Sequence, residues 1–173
     1  MSDFFGRVVG DQDPIKKLLG YIPGFKGYIE RENRRSSDKL LRDTVARRFE
    51  ELYKRLSALQ SDMISQGNIE YVDDLEKAAL QIRTFTDKIR NATYGYSGMF
   101  DAVKINEDEL SKIYTFDAGF FELADQIKNA LDTLEASMGT PEGLPATIRN
   151  VVTLARQVVV TYEQRYEIFN SSI

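Results

Sequence analysis

The sequence predicts an all-α protein, an antiparallel four-helix bundle with a long first helix and a short amphipathic arm at its N-terminus. Apolar residues recur at alternating steps of three and four through four long segments, which places them on one stripe of each helix. Turns rich in glycine separate the segments, and no stretch of useful length alternates apolar and polar residues as a strand would. A chain of 173 residues suits one domain around a single apolar core. That domain is read as residues 26–173, behind an arm of residues 1–25.

The first segment runs from about Gly27 to Ser65, with a stripe of Leu41, Val45, Phe49, Leu52, Leu56, Leu59 and Met63. Gly67-Asn68 closes it, because glycine accepts the left-handed conformation of a helix end. The second, about Ile69 to Thr93, carries Val72, Leu75, Ala79, Ile82, Thr86 and Ile89. Glu70, Asp73 and Asp74 in its first turns suit the positive end of a helix. The third opens at Asn106, a candidate N-cap with Glu109 reaching back. Its stripe is Leu110, Ile113, Asp117, Phe120, Ala124, Ile127, Leu131, Leu134 and Met138, and Gly139 supplies the stop. Thr140-Pro141 then starts the fourth, proline being at home in a first turn. Its stripe is Leu144, Ile148, Val151, Ala155, Val158, Tyr162 and Phe169. Leu40, Tyr53, Phe121, Leu123, Leu154 and Val159 widen the stripes beyond a coiled-coil seam, so a compact bundle is expected rather than a rod.

Composition narrows the chemistry. Without cysteine there are no disulfides, thiolate metal sites or cysteine nucleophiles. Without histidine there is no imidazole base, no Ser-His-Asp triad and no Glu-x-x-His di-iron motif. An enzyme would have to work with carboxylates, lysine, arginine or tyrosine, so no catalytic residue, metal or cofactor is expected. The start, MSDFFGRVVGDQDPIKK, lacks the pattern of a secretory signal. No run approaches the ~20 apolar residues that span a bilayer. A cytoplasmic location is expected, extending to the inner face of the membrane as a peripheral protein.

Charge is uneven along the chain. From Lys26 to Leu56 ten basic residues face six acidic ones, an excess of +4, while residues 57–173 carry ten basic and eighteen acidic, or −8. Arg31, Arg35 and Lys39 fall four apart with Arg34 beside them, and the stretch from Tyr28 to Lys39 has no apolar stripe. A segment polar all round projects from the body or lies along another surface. It is expected to offer a basic face to an anionic membrane or an acidic protein. The competing reading is helix support, from Glu30-Arg34, Asp38-Arg42, Asp43-Arg47, Glu50-Lys54 and Glu51-Arg55 at i,i+4. Nucleic acid is not expected, for want of a stronger basic excess and a reading element.

The arm contains Phe4, Phe5, Leu18 and Leu19, with Lys16 and Lys17 alongside, and a hinge at Pro23-Gly24. Either it folds back over one end of the bundle, or it is an amphipathic element that binds a partner's groove or a membrane. Under the second reading, removing residues 1–25 leaves cooperative melting largely intact. Asp117 falls on the apolar stripe of the third helix, and a buried carboxylate must be paired, hydrogen-bonded or protonated. Tyr114, Arg83 and Arg90 are the candidate partners. A structural polar pair is expected, against an alternative of catalysis or a carboxylate metal site with Glu122 and Asp125. The Tyr94-to-Phe100 turn, despite two glycines, lacks the strand and lysine of a phosphate loop and reads as an aromatic corner.

Ile22-Pro-Gly-Phe-Lys-Gly-Tyr28, the run RRSSDKLLR from Arg34 to Arg42, and YGYSGMFDAVKINEDEL from Tyr94 to Leu110, with Tyr114-Thr-Phe-Asp117 nearby, together resemble a family of uncharacterised bacterial helical proteins. Relatives in that family lie beside genes for stomatin-like (band-7) membrane proteins. The resemblance covers roughly half the chain; it implies membrane-associated scaffolding and carries over no catalytic residue. The function expected from the whole is a non-enzymatic interaction or scaffold protein with an unidentified protein partner or an anionic membrane surface. A structural subunit of a homo-oligomeric assembly is the further alternative.

Overall fold

The computed structural model describes residues 14–92 and 107–171. Phe4, Phe5, the Tyr94-to-Phe100 turn and the Asn106 cap lie outside the described residues, as does the side chain of Phe169. All regular structure among the described residues is helical. Five α-helices pack together: α1 (Pro14–Tyr21), α2 (Arg31–Ser65), α3 (Val72–Arg90), α4 (Glu107–Ser137) and α5 (Leu144–Ser171), with a 3₁₀ turn at Ile69–Tyr71. Among the described residues no helix is long and apolar enough to cross a membrane.

The stripe of α2 is buried at every predicted position from Leu41 to Met63. Gly67, at φ +83°, ends the helix: its N–H donates to the Ile64 carbonyl (3.1 Å) and the Asn68 N–H to the Met63 carbonyl (2.9 Å). This is the paired closure that a left-handed glycine permits. Two starts differ from the periodic reading. α2 begins at Arg31 rather than near Gly27, because Gly27 is held at φ +82°, outside the helical region. α5 begins at Leu144 rather than Pro141, because the Gly143 N–H donates to the Thr140 carbonyl (3.3 Å) and closes a turn first.

α2 packs against α3 and α4, α5 packs against α3 and α4, and α1 lies on α4. Phe85 of α3 ties the body together, a position the stripe reading passes over. Its ring meets Phe49 of α2 at 4.8 Å between centroids, Phe120 of α4 at 5.3 Å and Tyr162 of α5 at 5.9 Å, separations at which aromatic pairs attract.

Residue pairing gives the helix directions. Glu50 meets Arg90 and Gln60 meets Glu76, so α2 and α3 run in opposite directions. Arg48 meets Asp125 and Arg55 meets Asp132, equal steps on both helices, so α2 and α4 run parallel. Consecutive long helices thus run in opposite directions for α2 and α3, while α2 and α4, the first and third of the long helices, run in the same direction.

Ile15, Leu18, Ile22 and Phe25 are buried in the same apolar cluster as the long helices. Residues 14–25 therefore follow the reading in which the arm folds back onto the bundle, which argues against the expectation that removing residues 1–25 leaves cooperative melting largely intact. Deleting residues 1–25 should lower the free energy of unfolding by about 2–5 kcal/mol, the gain from burial less the cost of ordering the segment. Urea denaturation followed by circular dichroism measures this, and an unchanged midpoint and slope would contradict it.

Candidate functional site

The interior holds a connected set of charged side chains drawn from three helices. Asp38 of α2 and Asp117 of α4 are both fully buried, and Arg165 of α5 is 1% exposed. Arg165 Nε donates to Asp117 Oδ1 at 2.6 Å, and its Nη2 donates to Asp38 Oδ1 at 3.3 Å. Arg42, one turn beyond Asp38, donates from Nε to Asp38 Oδ2 at 2.9 Å and from Nη1 to the Ala92 carbonyl at 3.1 Å. The Tyr28 hydroxyl donates to Asp117 Oδ2 at 2.6 Å. Every oxygen of the two carboxylates thus receives a donor, and two acids offset two guanidinium groups. That is the arrangement in which buried charge is tolerated.

Tyr28 connects this set to the N-terminal segment. Its backbone N–H donates to the Tyr114 hydroxyl at 2.6 Å, and its carbonyl accepts from Arg34 Nε at 2.6 Å. The chain reaches this position through Gly27, and two constraints require glycine there. Its φ is +82°, and an added Cβ would lie 2.6 Å from the Tyr114 hydroxyl oxygen.

Burial shapes the acid–base behaviour. It raises the Asp117 carboxyl above the ordinary carboxylate range, against the opposing influence of Arg165 and the Tyr28 hydrogen bond. Burial first, and then the charge of Asp117, holds the Tyr28 phenol well above its usual value. Burial pushes Tyr114 up to about 12.

The candidate residues read from the sequence fall into different places. Leu18 is fully buried, while Leu19 is 53% exposed on the same short helix. Arg31, Arg35 and Lys39 are exposed, and Arg34 is half-buried against the Tyr28 carbonyl. The stretch from Tyr28 to Lys39 is not polar on all sides in its surroundings: Tyr28, Ser37 and Asp38 are buried. Asp38 goes inside because Arg42 and Arg165 neutralise it there. Of the i,i+4 pairs, Asp38–Arg42 and Glu50–Lys54 form, while Arg55 reaches across to Asp132 and Glu135 of α4.

The partner of Asp117 is Arg165, not Arg83 or Arg90. Arg90 instead pairs with Glu50 at 2.7 Å, in a surface cleft between α2 and α3 that Arg83 also lines. Tyr114 is joined to Asp117 by hydrogen bonds through Tyr28, which bonds both. The carboxylates proposed for a metal site are kept apart: Glu122 bonds Lys17, and Asp125 bonds Tyr21 and Arg48. Among the described residues no group of three or more metal-binding side chains comes together.

Arg165 and Asp38 were missed, although a signal for each is present. Arg165 sits three residues after Tyr162 and four before Phe169, in the gap of the α5 stripe, and Asp38 precedes Leu41 by three. Charges of opposite sign at stripe positions on three helices mark an internal ionic set. Compared with known proteins, the chain matches no family model, no curated protein and no solved structure.

Replacing Arg165 with Met should cost about 3–5 kcal/mol, because two buried carboxylates lose a shared partner. The double variant Asp117→Leu/Arg165→Met should recover part of that loss. Urea unfolding of both singles and the double tests this, and strict additivity would refute a direct coupling.

The phenols predict a distinct alkaline response. A group whose folded pKa is raised contributes stability below its unfolded pKa, and that contribution is lost as pH rises through the folded value. For Tyr114 the window runs from 10 to about 12; Tyr28 shifts in the same direction. Thermal midpoints should fall across this range as phenolate absorbance appears late, and Tyr114→Phe should flatten the fall. A Tyr114→Phe variant with the same alkaline profile as wild type would contradict this assignment.

Proposed function

We propose that the protein is a non-enzymatic interaction or scaffold protein that engages an anionic surface, first of all the inner face of a membrane, through the basic start of α2. The four long helices serve as a single four-helix bundle, with consecutive long helices running in opposite directions. The observation that carries this reading is the division of α2 into two faces. Asp38 points inward and is neutralised there, while Arg31, Arg35 and Lys39 are exposed. Eight residues of helix separate the first from the last of these, a row about 12 Å long on a rigid support.

Each such residue contributes about 1 kcal/mol near an anionic membrane, and the attraction weakens with salt. Exposed Leu19 and Lys16 on α1, and Phe4 and Phe5 in the sequence before it, offer an apolar complement of the kind that accompanies basic residues at lipid surfaces. The closure of Asp117 by Arg165 and Tyr28 supports a structural role for that carboxylate over a catalytic one. The same surface chemistry fits an acidic protein partner of a membrane scaffold, and the resemblance noted in the sequence is in keeping with it.

Sedimentation with phosphatidylserine-rich and pure phosphatidylcholine vesicles tests the proposal. Wild type should bind the anionic vesicles at low salt and release as salt rises. The variant Arg31→Glu/Arg35→Glu/Lys39→Glu should bind about 100-fold more weakly, from three contributions of about 1 kcal/mol, while retaining its helical circular dichroism and cooperative melting. Equal binding to both vesicle types, or no effect of charge reversal, would defeat it.

A further inference from the structure

The N-terminal segment is attached to the body in two tiers of different character. The inner tier is Tyr28, whose backbone and hydroxyl are both bonded to buried groups of α4. The outer tier is α1, a helix of eight residues that packs against α4. Its apolar contribution comes from Ile15 and Leu18, with Ile22 just beyond its end. Its polar contacts lie at a wet rim. Lys17 pairs with Glu122 with both side chains more than 40% exposed, and the Tyr21 hydroxyl donates to Asp125 at 2.6 Å, where Arg48 also binds. Between the tiers lie Pro23 and Gly24, both exposed, with Gly24 at φ +82° and open space around it. Ion pairs this exposed hold weakly, and few buried side chains oppose the entropy of ordering the helix.

The seat of α1 on α4 is specific nonetheless. Phe121 stacks flat on Tyr21 at 4.6 Å, and the Arg48 guanidinium lies 5.1 Å from the centre of the Tyr21 ring. Glu122 and Asp125 supply acidic acceptors spaced to meet Lys17 and Tyr21 one helical turn apart. We infer that α1 undocks about Pro23-Gly24 while Tyr28 stays anchored, and that the vacated seat on α4 takes the α1 helix of a second copy of this chain. The occupant is identified by complementarity, since apolar positions, lysine and tyrosine on α1 match the floor and acidic rim of the seat. Exchange of identical elements makes no new contact and so needs only a hinge that opens.

The absence of cysteine makes the exchange directly testable in the full chain. Lys17→Cys and Glu122→Cys are prepared as separate variants, one carrying a mass tag, mixed at high concentration and treated with a short bis-maleimide. Exchange yields a covalent dimer joined between position 17 of one chain and position 122 of the other, identified by peptide mass. In parallel, the double variant is cross-linked within one chain in dilute solution. Light scattering after gel filtration should then show a wild-type dimer fraction that rises with concentration, and at least a tenfold smaller fraction in the locked protein. No 17-to-122 product between chains, a wild type monomeric at every concentration, or a locked protein that dimerises as before would each overturn the inference.

Discussion

Arg165 carries a permanent charge into the centre of the helical body, and the surrounding chain is organised to receive it. A buried guanidinium without partners is far too costly to persist, whereas one flanked by two carboxylates is tolerated. Asp117 takes its Nε and Asp38 its Nη2 from different helices, so α2, α4 and α5 must meet in one register. Apolar packing alone leaves such a choice open, because leucine and isoleucine stripes interdigitate acceptably in more than one offset. An ionic set whose four carboxylate oxygens each have a donor is satisfied in one offset and violated in its neighbours.

That same requirement accounts for the course of the chain between α1 and α2. Tyr28 has to present its hydroxyl to Asp117 and its N–H to Tyr114, which lie on the same helix three residues apart. Meeting both demands a close approach of backbone to the Tyr114 hydroxyl, hence Gly27 at a left-handed φ with no room for a Cβ. The start of α2 is thereby set beside the start of α4, and the two helices continue side by side in the same direction. Arg48 and Arg55 then find Asp125 and Asp132 at matching steps further along. The parallel pairing follows from the anchor rather than from the apolar stripes, which carry no direction.

The fold class was legible in the sequence because a period of three and four in apolar residues is a direct consequence of helical geometry, and Leu41 to Met63 or Phe120 to Leu134 follow it without interruption. Boundaries were less legible where a local bond competes with the pattern, as at Pro141, where the Gly143-to-Thr140 turn delays the helix. The ionic set was half visible. Asp117 interrupts an apolar run and announces itself, whereas Arg165 and Asp38 lie in charged neighbourhoods where a residue on the stripe resembles its solvated neighbours. Which arginine meets Asp117 depends on the relative rotation of α4 and α5, a quantity no single helix encodes. Three separate stretches of sequence, around Tyr28, Asp38 and Tyr114 to Asp117, converge on this one place.

The exposed face of α2 inherits its electrical character from that interior. Withdrawing Asp38 and Arg42 together removes one charge of each sign, so the stretch from Lys26 to Leu56 keeps nine basic and five acidic residues and its excess of +4. Asp117 and Arg165 likewise cancel within residues 57–173, where the balance stays at −8. Burial therefore leaves the asymmetry between the two parts of the chain as large as it is in the unfolded polypeptide. A bundle that had buried Arg165 against acids of its own segment alone, leaving Asp38 outside beside Arg35 and Lys39, would have shielded the basic row with an adjacent carboxylate. Because Asp38 is taken inside, Arg31, Arg35 and Lys39 face solvent without it.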